Sequence, residues 1–292
     1  MGVPERIKLQ SGRYANVDSI PFQLPVACEP SPVAMAAFSI DWKKAAAILP
    51  GNELFPLKLF DKGVLLITVV NYLGTTIGKY IEYSIAIACT HGSDPAPPLL
   101  PAILQGAYQT GQFVLDLPVS TEISVKGGRG IWGMPKHQAS LSFEARDGAI
   151  VAQYEADGML GMALRVQRQE KMLLPLSLSV SSYAQFRGML FKSYLYFDGA
   201  AAITLEKKDA AQLVIGNHPR VQPLKELEID PHPLFTAYIP EARGTLDDHF
   251  ECWFISAAQP PATSEPGLES VVTLGLDQQW PPPPKIKVNF DS

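Results

Sequence analysis

The stretch GRGIWGMPKHQ, residues 128–138, ends in Lys136, His137 and Gln138 after three glycines, a tryptophan, a methionine and a proline. A solvated lysine needs no such setting, although a lysine at the start of a strand is ordinarily just that. A lysine that must attack a carbonyl does need it. Burial disfavours the ammonium and draws a lysine pKa down by up to about 3–5 units. An unperturbed lysine is neutral at pH 7 only about once in a few thousand molecules, so a catalytic amine requires an apolar pocket. Trp132, Met134 and Pro135 supply apolar neighbours to Lys136, and the glycines let backbone come close.

A carboxylate that serves such an amine is sought next. In KYIEYSIAIACT, residues 79–90, the two-residue period of a strand puts Tyr80, Glu82 and Ser84 on one face and Ile81, Tyr83 and Ile85 on the other. A charge in the middle of that apolar run is expensive unless it is paired or used. Glu82 is therefore the candidate partner of Lys136, the alternative being a glutamate that faces solvent on an antiparallel sheet.

Other chemistries find less support. GRGIWG at 128–133 matches G-x-G-x-x-G formally, but it neither follows a strand nor opens a helix, and Pro135 comes at once. Its glycines read as a tight turn. There is no G-x-S-x-G elbow and no Walker loop. The five histidines (91, 137, 218, 232 and 249) form no H-x-x-x-H pair. DDHFEC at 247–252 places Asp247, His249 and Glu251 on one strand face, which reads as a solvated edge before it reads as a metal site. No metal and no organic cofactor are expected.

The elements that must position Lys136 and Glu82 are mostly strands. Residues 33–51 read as a strand and a short helix that Asp41 caps and Pro50-Gly51 ends. Strands follow near 54–72, 79–90 and 112–117. DPAPPLLPA (94–102) reads as an irregular loop because its prolines remove donors and fix φ. Ser120 reads as the cap of a helix that fails at Gly127-Gly128. Arg-Asp-Gly and Asp-Gly separate three alternating runs at 138–168, a strand meander whose first strand Lys136 enters. Further strands are expected near 175–181, 191–206 and 250–256, a helical turn at 223–229, and an extended C-terminal PPPPKIKVNFDS. One mainly antiparallel β domain over residues 1–292, with a core at about 33–258 and extensions at both ends, is the simplest organisation.

Composition narrows the partners. With 47% hydrophobic and 18% charged residues the chain has ample core material. A net charge of -5 without long basic runs argues against nucleic acid or an anionic membrane surface. No apolar run approaches the roughly 20 residues of a membrane-spanning helix. Cys28, Cys89 and Cys252 lie far apart, which suits a reducing cytoplasm.

GGRGIWGMPKHQASLSFEA closely resembles the G-R-E-I-W-G-x-P-K-K segment of the acetoacetate decarboxylase-like superfamily. The lysine after the proline, which forms the Schiff base in that family, corresponds to Lys136. The family's upstream YxE strand is matched by Tyr80-Ile81-Glu82, and GNHPRVQPLKEL (216–227) is similar to its G-x-H-P segment. Three positions depart from the pattern. His137 replaces the family's second lysine, Gly130 replaces a glutamate, and Ser31 falls where the decarboxylases carry an arginine that engages the substrate carboxylate.

The resemblance implies antiparallel sheets curved into a cone-like double β-barrel with a few short helices and the lysine inside. It implies a lysine Schiff-base lyase acting on a small oxo acid, either a β-keto acid decarboxylase or a pyruvate-type aldolase-dehydratase. Lys136 and Glu82 are then the catalytic pair, with Arg129, Trp132, Met134, Tyr80 and His137 toward the substrate. A homo-oligomer is expected because family members assemble. The reading from another class is a non-catalytic barrel that carries a small hydrophobic or carbonyl ligand.

Overall fold

The computed structural model describes residue 5 and residues 12–168 and 173–256, without the side chains of 248–250. The C-terminal PPPPKIKVNFDS segment, Trp280 and the start of the chain lie outside the described residues, as does the side chain of His249.

β1 (Arg13–Val17) and β2 (Ile20–Leu24) form a hairpin. β3 (Val26–Asp41) leads into the expected short helix, Trp42–Ile48, where Asp41 accepts a 2.8 Å hydrogen bond from the backbone N–H of Lys44. β4 (Leu54–Pro56), β5 (Lys62–Tyr72) and β6 (Tyr80–His91) follow. The proline-rich loop then carries one short helical segment, Leu100–Ile103, with a proline in its first turn, where its missing N–H costs nothing. After β7 (Gly111–Val119) come the helix Glu122–Trp132 and β8 (Lys136–Gln138). β9 (Ser140–Arg146), β10 (Ala149–Ala156) and β11 (Met159–Gln167) form the meander. β12 (Leu174–Phe186), β13 (Met189–Leu205), β14 (Ala211–Ile215), the turns Pro219–Val221 and Gln222–Lys225, and β15 (Pro233–Phe254) complete the described chain.

The hairpin turns have a common cause. Asp147-Gly148 and Asp157-Gly158 both adopt positive φ, as their sequence predicts for type I′ turns. Arg187-Gly188, between β12 and β13, does the same without the aspartate that would have advertised it.

The main sheet runs β4-β6-β5-β3-β15-β13-β12-β7-β8, and an additional pairing of β6 with β7 closes the strands from β6 to β7 into a barrel. The second sheet, β14-β11-β10-β9, is open and antiparallel. The fold is thus mainly β, with curved, mostly antiparallel sheets and short helices, and with β7 pairing in parallel with β12 and β8. Alternate residues of the barrel wall face opposite ways. Val33 and Met35, Thr68 and Val70, and Glu82 and Ser84 face the interior. Ala34, Phe38, Leu65, Ile67, Tyr83 and Ile85 face outward into a core shared with Ile150, Tyr154, Met162 and Leu164 of the second sheet. Both faces of the wall are therefore covered, which is why GVLLITVV reads as a continuous apolar run.

Two expectations fail here, both near Lys136. The helix does not stop at Gly127-Gly128 but continues to Trp132, and it begins after Thr121 without a side-chain cap. Ser120 instead accepts a 2.9 Å hydrogen bond from the Ile81 N–H. A helical glycine costs only about 1 kcal/mol relative to alanine, and contacts on the glycines outweigh that. Phe22 lies against Gly127, Lys136 against Gly128 and Val17 against Gly130. The helix ends at Gly133, whose left-handed φ of 63° directs its N–H back to Arg129 and Gly128 carbonyls. In addition, Lys136 does not enter the meander. It stands on β8, which pairs in parallel with β7 at Leu117, and the meander starts afresh at Ser140 in the other sheet.

Candidate active site

Lys136 is a buried side chain, 6% exposed, whose Nζ lies 2.6 Å from Glu82 Oε2 and 3.0 Å from Ser124 Oγ. Glu82 is 16% exposed, and its other oxygen accepts from the Tyr72 hydroxyl at 3.4 Å. The Tyr80 ring stands 5.4 Å from the amine and 4.5 Å from the Tyr72 ring. Burial, followed by the charge of Glu82, pushes both phenols well above their usual range, so both remain protonated donors at neutral pH. Burial likewise raises the Cys28 thiol nearby.

Each of these side chains is placed by its element. Tyr80 and Glu82 share the inner face of β6, and Tyr72 sits directly across from Tyr80 on β5. Ser124, Gly128 and Trp132 recur every fourth residue on one face of the Glu122–Trp132 helix. The Lys136 stem lies across Gly128 so closely that a Cβ there would stand 2.7 Å from Lys136 Cε. The glycine therefore serves as a seat for the lysine rather than as a turn. Trp132 is fixed by a 2.6 Å hydrogen bond from its indole N–H to the Asp247 carbonyl. Met134 is buried beside it, in the same apolar cluster as Phe22, Leu117 and Ile131.

The pair opens into a cavity of about 310 Å³ that occupies the barrel interior. Every wall strand contributes, including Val33 of β3, Val70 of β5, Val180 of β12, Phe197 of β13 and Ile239 of β15. Glu82 and Lys136 are the only lining side chains among the described residues that carry a charge. Ser31 lines the cavity too, with its hydroxyl turned to the Glu29 carbonyl and the Leu73 N–H.

Lys136, Glu82, Tyr80, Trp132 and Met134 thus come together as the sequence suggests. Arg129 and His137 do not join them. Arg129 follows Gly128 on the helix, a rotation of about 100°, and is absent from the cavity lining. His137 follows Lys136 on a strand and so faces the opposite side. Its Nε2 lies 3.0 Å from Asp116 Oδ1, in a group with Tyr154 and Arg220 outside the barrel. The G-x-H-P segment is structural here, since His218 is buried and its ring accepts from the Arg220 N–H to cap a turn. Glu251 pairs with Lys192, while Asp247 is fully buried near Arg13, so these two do not share the solvated face expected of them. Among the described residues no cluster of His, Cys, Asp and Glu is suited to hold a metal. Nor is any described helix long and apolar enough to cross a membrane.

Ser124 and Tyr72 were not legible as site residues. Ser124 precedes Gly128 by one helical turn, a signal available only once the helix is known to pass through the glycines. Tyr72 required the register of the β5–β6 hairpin.

Known proteins resemble this chain in sequence and in fold. The family model described as acetoacetate decarboxylase (ADC) matches residues 14–192. The structure is similar to acetoacetate decarboxylase from Legionella pneumophila subsp. pneumophila str. Philadelphia 1, at 14% identity and a TM-score of 0.57, covering 84% of this chain and 89% of that one. A second acetoacetate decarboxylase structure gives 12% identity and a TM-score of 0.54, covering 79% and 89%. An acetoacetate decarboxylase-like enzyme from Sphingomonas wittichii RW1 gives 13% identity and 0.50, covering 77% and 92%. Among curated proteins none matches the sequence.

Proposed function

This chain is a member of the acetoacetate decarboxylase family, and on that premise we propose that it is an imine-forming lyase of oxo acids, with Lys136 as nucleophile and Glu82 as proton carrier. The observation that carries the reading is an amine only 6% exposed, held 2.6 Å from a carboxylate and opening on an apolar cavity. Lys136 transfers a proton to Glu82 and attacks the ketone carbon. Water leaves, and a protonated C=N forms. In a β-keto acid the bond between the carboxyl group and the α-carbon then breaks. Its electron pair moves toward the iminium nitrogen, giving carbon dioxide and a neutral enamine. Glu82, which gave its first proton to the departing water, takes up another from solvent and donates it to the α-carbon; the iminium re-forms, and water releases the ketone and the amine. The Tyr72 phenol steadies Glu82 through both transfers.

Family membership favours decarboxylation. An aldolase-dehydratase would use the same enamine to attack an aldehyde and then expel water, so the two reactions share every step up to that carbon. In either case the imine supplies the electron sink, and the route draws on no metal or organic cofactor.

The test is reductive trapping. Protein mixed with acetoacetate, or separately with pyruvate, is treated with borohydride at neutral pH and weighed intact. A stable adduct is expected, and its loss in Lys136→Ala assigns the residue. The ketone that traps better distinguishes the two reactions. If neither ketone nor a wider set of oxo acids leaves an adduct, the catalytic reading fails. The apolar barrel is then a carrier.

A further inference from the structure

We propose that the substrate carries an extended apolar tail, which lies along the barrel interior from Lys136 to a mouth at Leu178 and Ile203. The proposal rests on the imine reading for its reactive end only; the tail is argued from the cavity itself.

The first argument is size. An engineered cavity of about 150 Å³ accepts benzene. The 310 Å³ inside this barrel therefore holds on the order of a dozen carbon-sized atoms. Acetoacetate, with a single methyl beyond its ketone, would leave most of that space empty.

The second argument is chemistry. Away from Lys136 the cavity is walled by Val33, Val70, Val180, Leu195, Phe197 and Ile239. Its only cation among the described residues is Lys136, and Glu82 would repel a second carboxylate. Ser31, which lines the wall, brings a hydroxyl already engaged with backbone. Thr68, Ser84, Gln112 and Ser182 also line the wall, but they carry no charge, so the remote carboxylate of a short oxo acid finds no cation to hold it. An alkyl chain finds a mostly apolar surface.

The third argument is the path. Lys136, Tyr80, Trp132 and Met134 are buried, whereas Leu178 and Ile203 line the same cavity and are 41% and 42% exposed. The cavity thus reaches solvent past apolar side chains. Ile203 pairs with Ala237, which pairs with Met35 and in turn with Thr68, a ring of lining residues around the barrel. Strand order therefore connects the mouth with the wall that carries Glu82.

The experiment uses methyl ketones of rising length, from acetone through methyl hexyl ketone to methyl tridecyl ketone. These are the product class of β-keto acid decarboxylation. Their binding is read by displacement of an apolar fluorescent dye from the whole protein, and their imines by borohydride trapping. Affinity is expected to rise about fourfold per added methylene and to level off near a dozen carbons. Ala237→Phe, with Val180→Phe as a second variant, should move that plateau to shorter chains. Folding of each variant is checked by its melting curve. Displacement in Lys136→Ala separates the two readings. A chain-length slope there without any adduct in the wild type supports the tail and overturns the imine. An adduct with a flat slope does the reverse. A profile unchanged in both folded phenylalanine variants would also overturn the tail.

Discussion

Two lysines of this molecule are buried to the same degree, and each is tied to a glutamate. Lys136 meets Glu82 at 2.6 Å, and Lys192 meets Glu251 at 3.0 Å. They differ in what lies beyond the pair. Lys136 faces a cavity, with a mostly apolar wall and a helical glycine under its stem. Lys192, on β13 outside the cavity lining, faces Tyr194, Gln109 and the ring of Tyr183. Burial opposes the charge of Lys192, but its hydrogen bonds to Tyr194 and Glu251 outweigh burial and raise its pKa, while bonds to Tyr194 and Lys192 lower that of Glu251 despite burial. A buried lysine–carboxylate pair is thus no mark of catalysis by itself. The empty volume in front of the amine separates the two sites, because only there can a carbonyl approach.

The comparison breaks most sharply at the amines. Lys136→Ala should abolish the borohydride adduct and all imine-dependent turnover, whereas Lys192→Met should leave both unchanged. Intact mass and a decarboxylation assay check this, and loss of the adduct in Lys192→Met would reverse the assignment. At the carboxylate, Glu82→Gln should lower turnover by about 10²–10⁴-fold, the range for a lost general acid–base. Gln keeps the side chain's volume and can still accept from the Tyr72 hydroxyl, so its melting curve should show a folded protein.

Gly128→Ala tests the seat under the lysine. The added methyl presses into Lys136 Cδ and Cε, so the amine must move, and a displacement of about 1 Å is expected to cost on the order of 10²-fold in turnover. Gly158→Ala, at a turn with open space around it, alters no residue of the site and should leave turnover intact. The smallest effect belongs to the structural pair. Lys192→Met should cost about 1–2 kcal/mol in stability, kept low because Glu251 is 35% exposed. A raised lysine contributes fully below 10.5 and loses that contribution as pH rises through its folded value. A depressed glutamate contributes above 4.5 and loses it as pH falls through its own. The melting difference between wild type and Lys192→Met should therefore be widest between those limits and shrink beyond each.

Sequence and structure divide along a physical line. The period of two in KYIEYSIAIACT fixed Tyr80 and Glu82 to one face, and Asp-Gly fixed two turns of the meander, because strand alternation and positive φ are local properties. The apolar company of Lys136 was equally local. The same local rules misplaced the helix end at Gly127-Gly128, since propensity cannot register Phe22, Val17 and Lys136 packing onto those glycines from distant parts of the chain. They also left Arg129 and His137 beside the lysine in sequence, while helix rotation and strand alternation turn them elsewhere in space. The addition of Ser124 to the pair, the contact distances among residues 82, 124 and 136, and the cavity that sets Lys136 apart from Lys192 followed only from closing β6 onto β7. That closure makes one continuous cavity from strands spread over some 220 residues, from Val26 to Leu246, and no local signal in the chain records its volume.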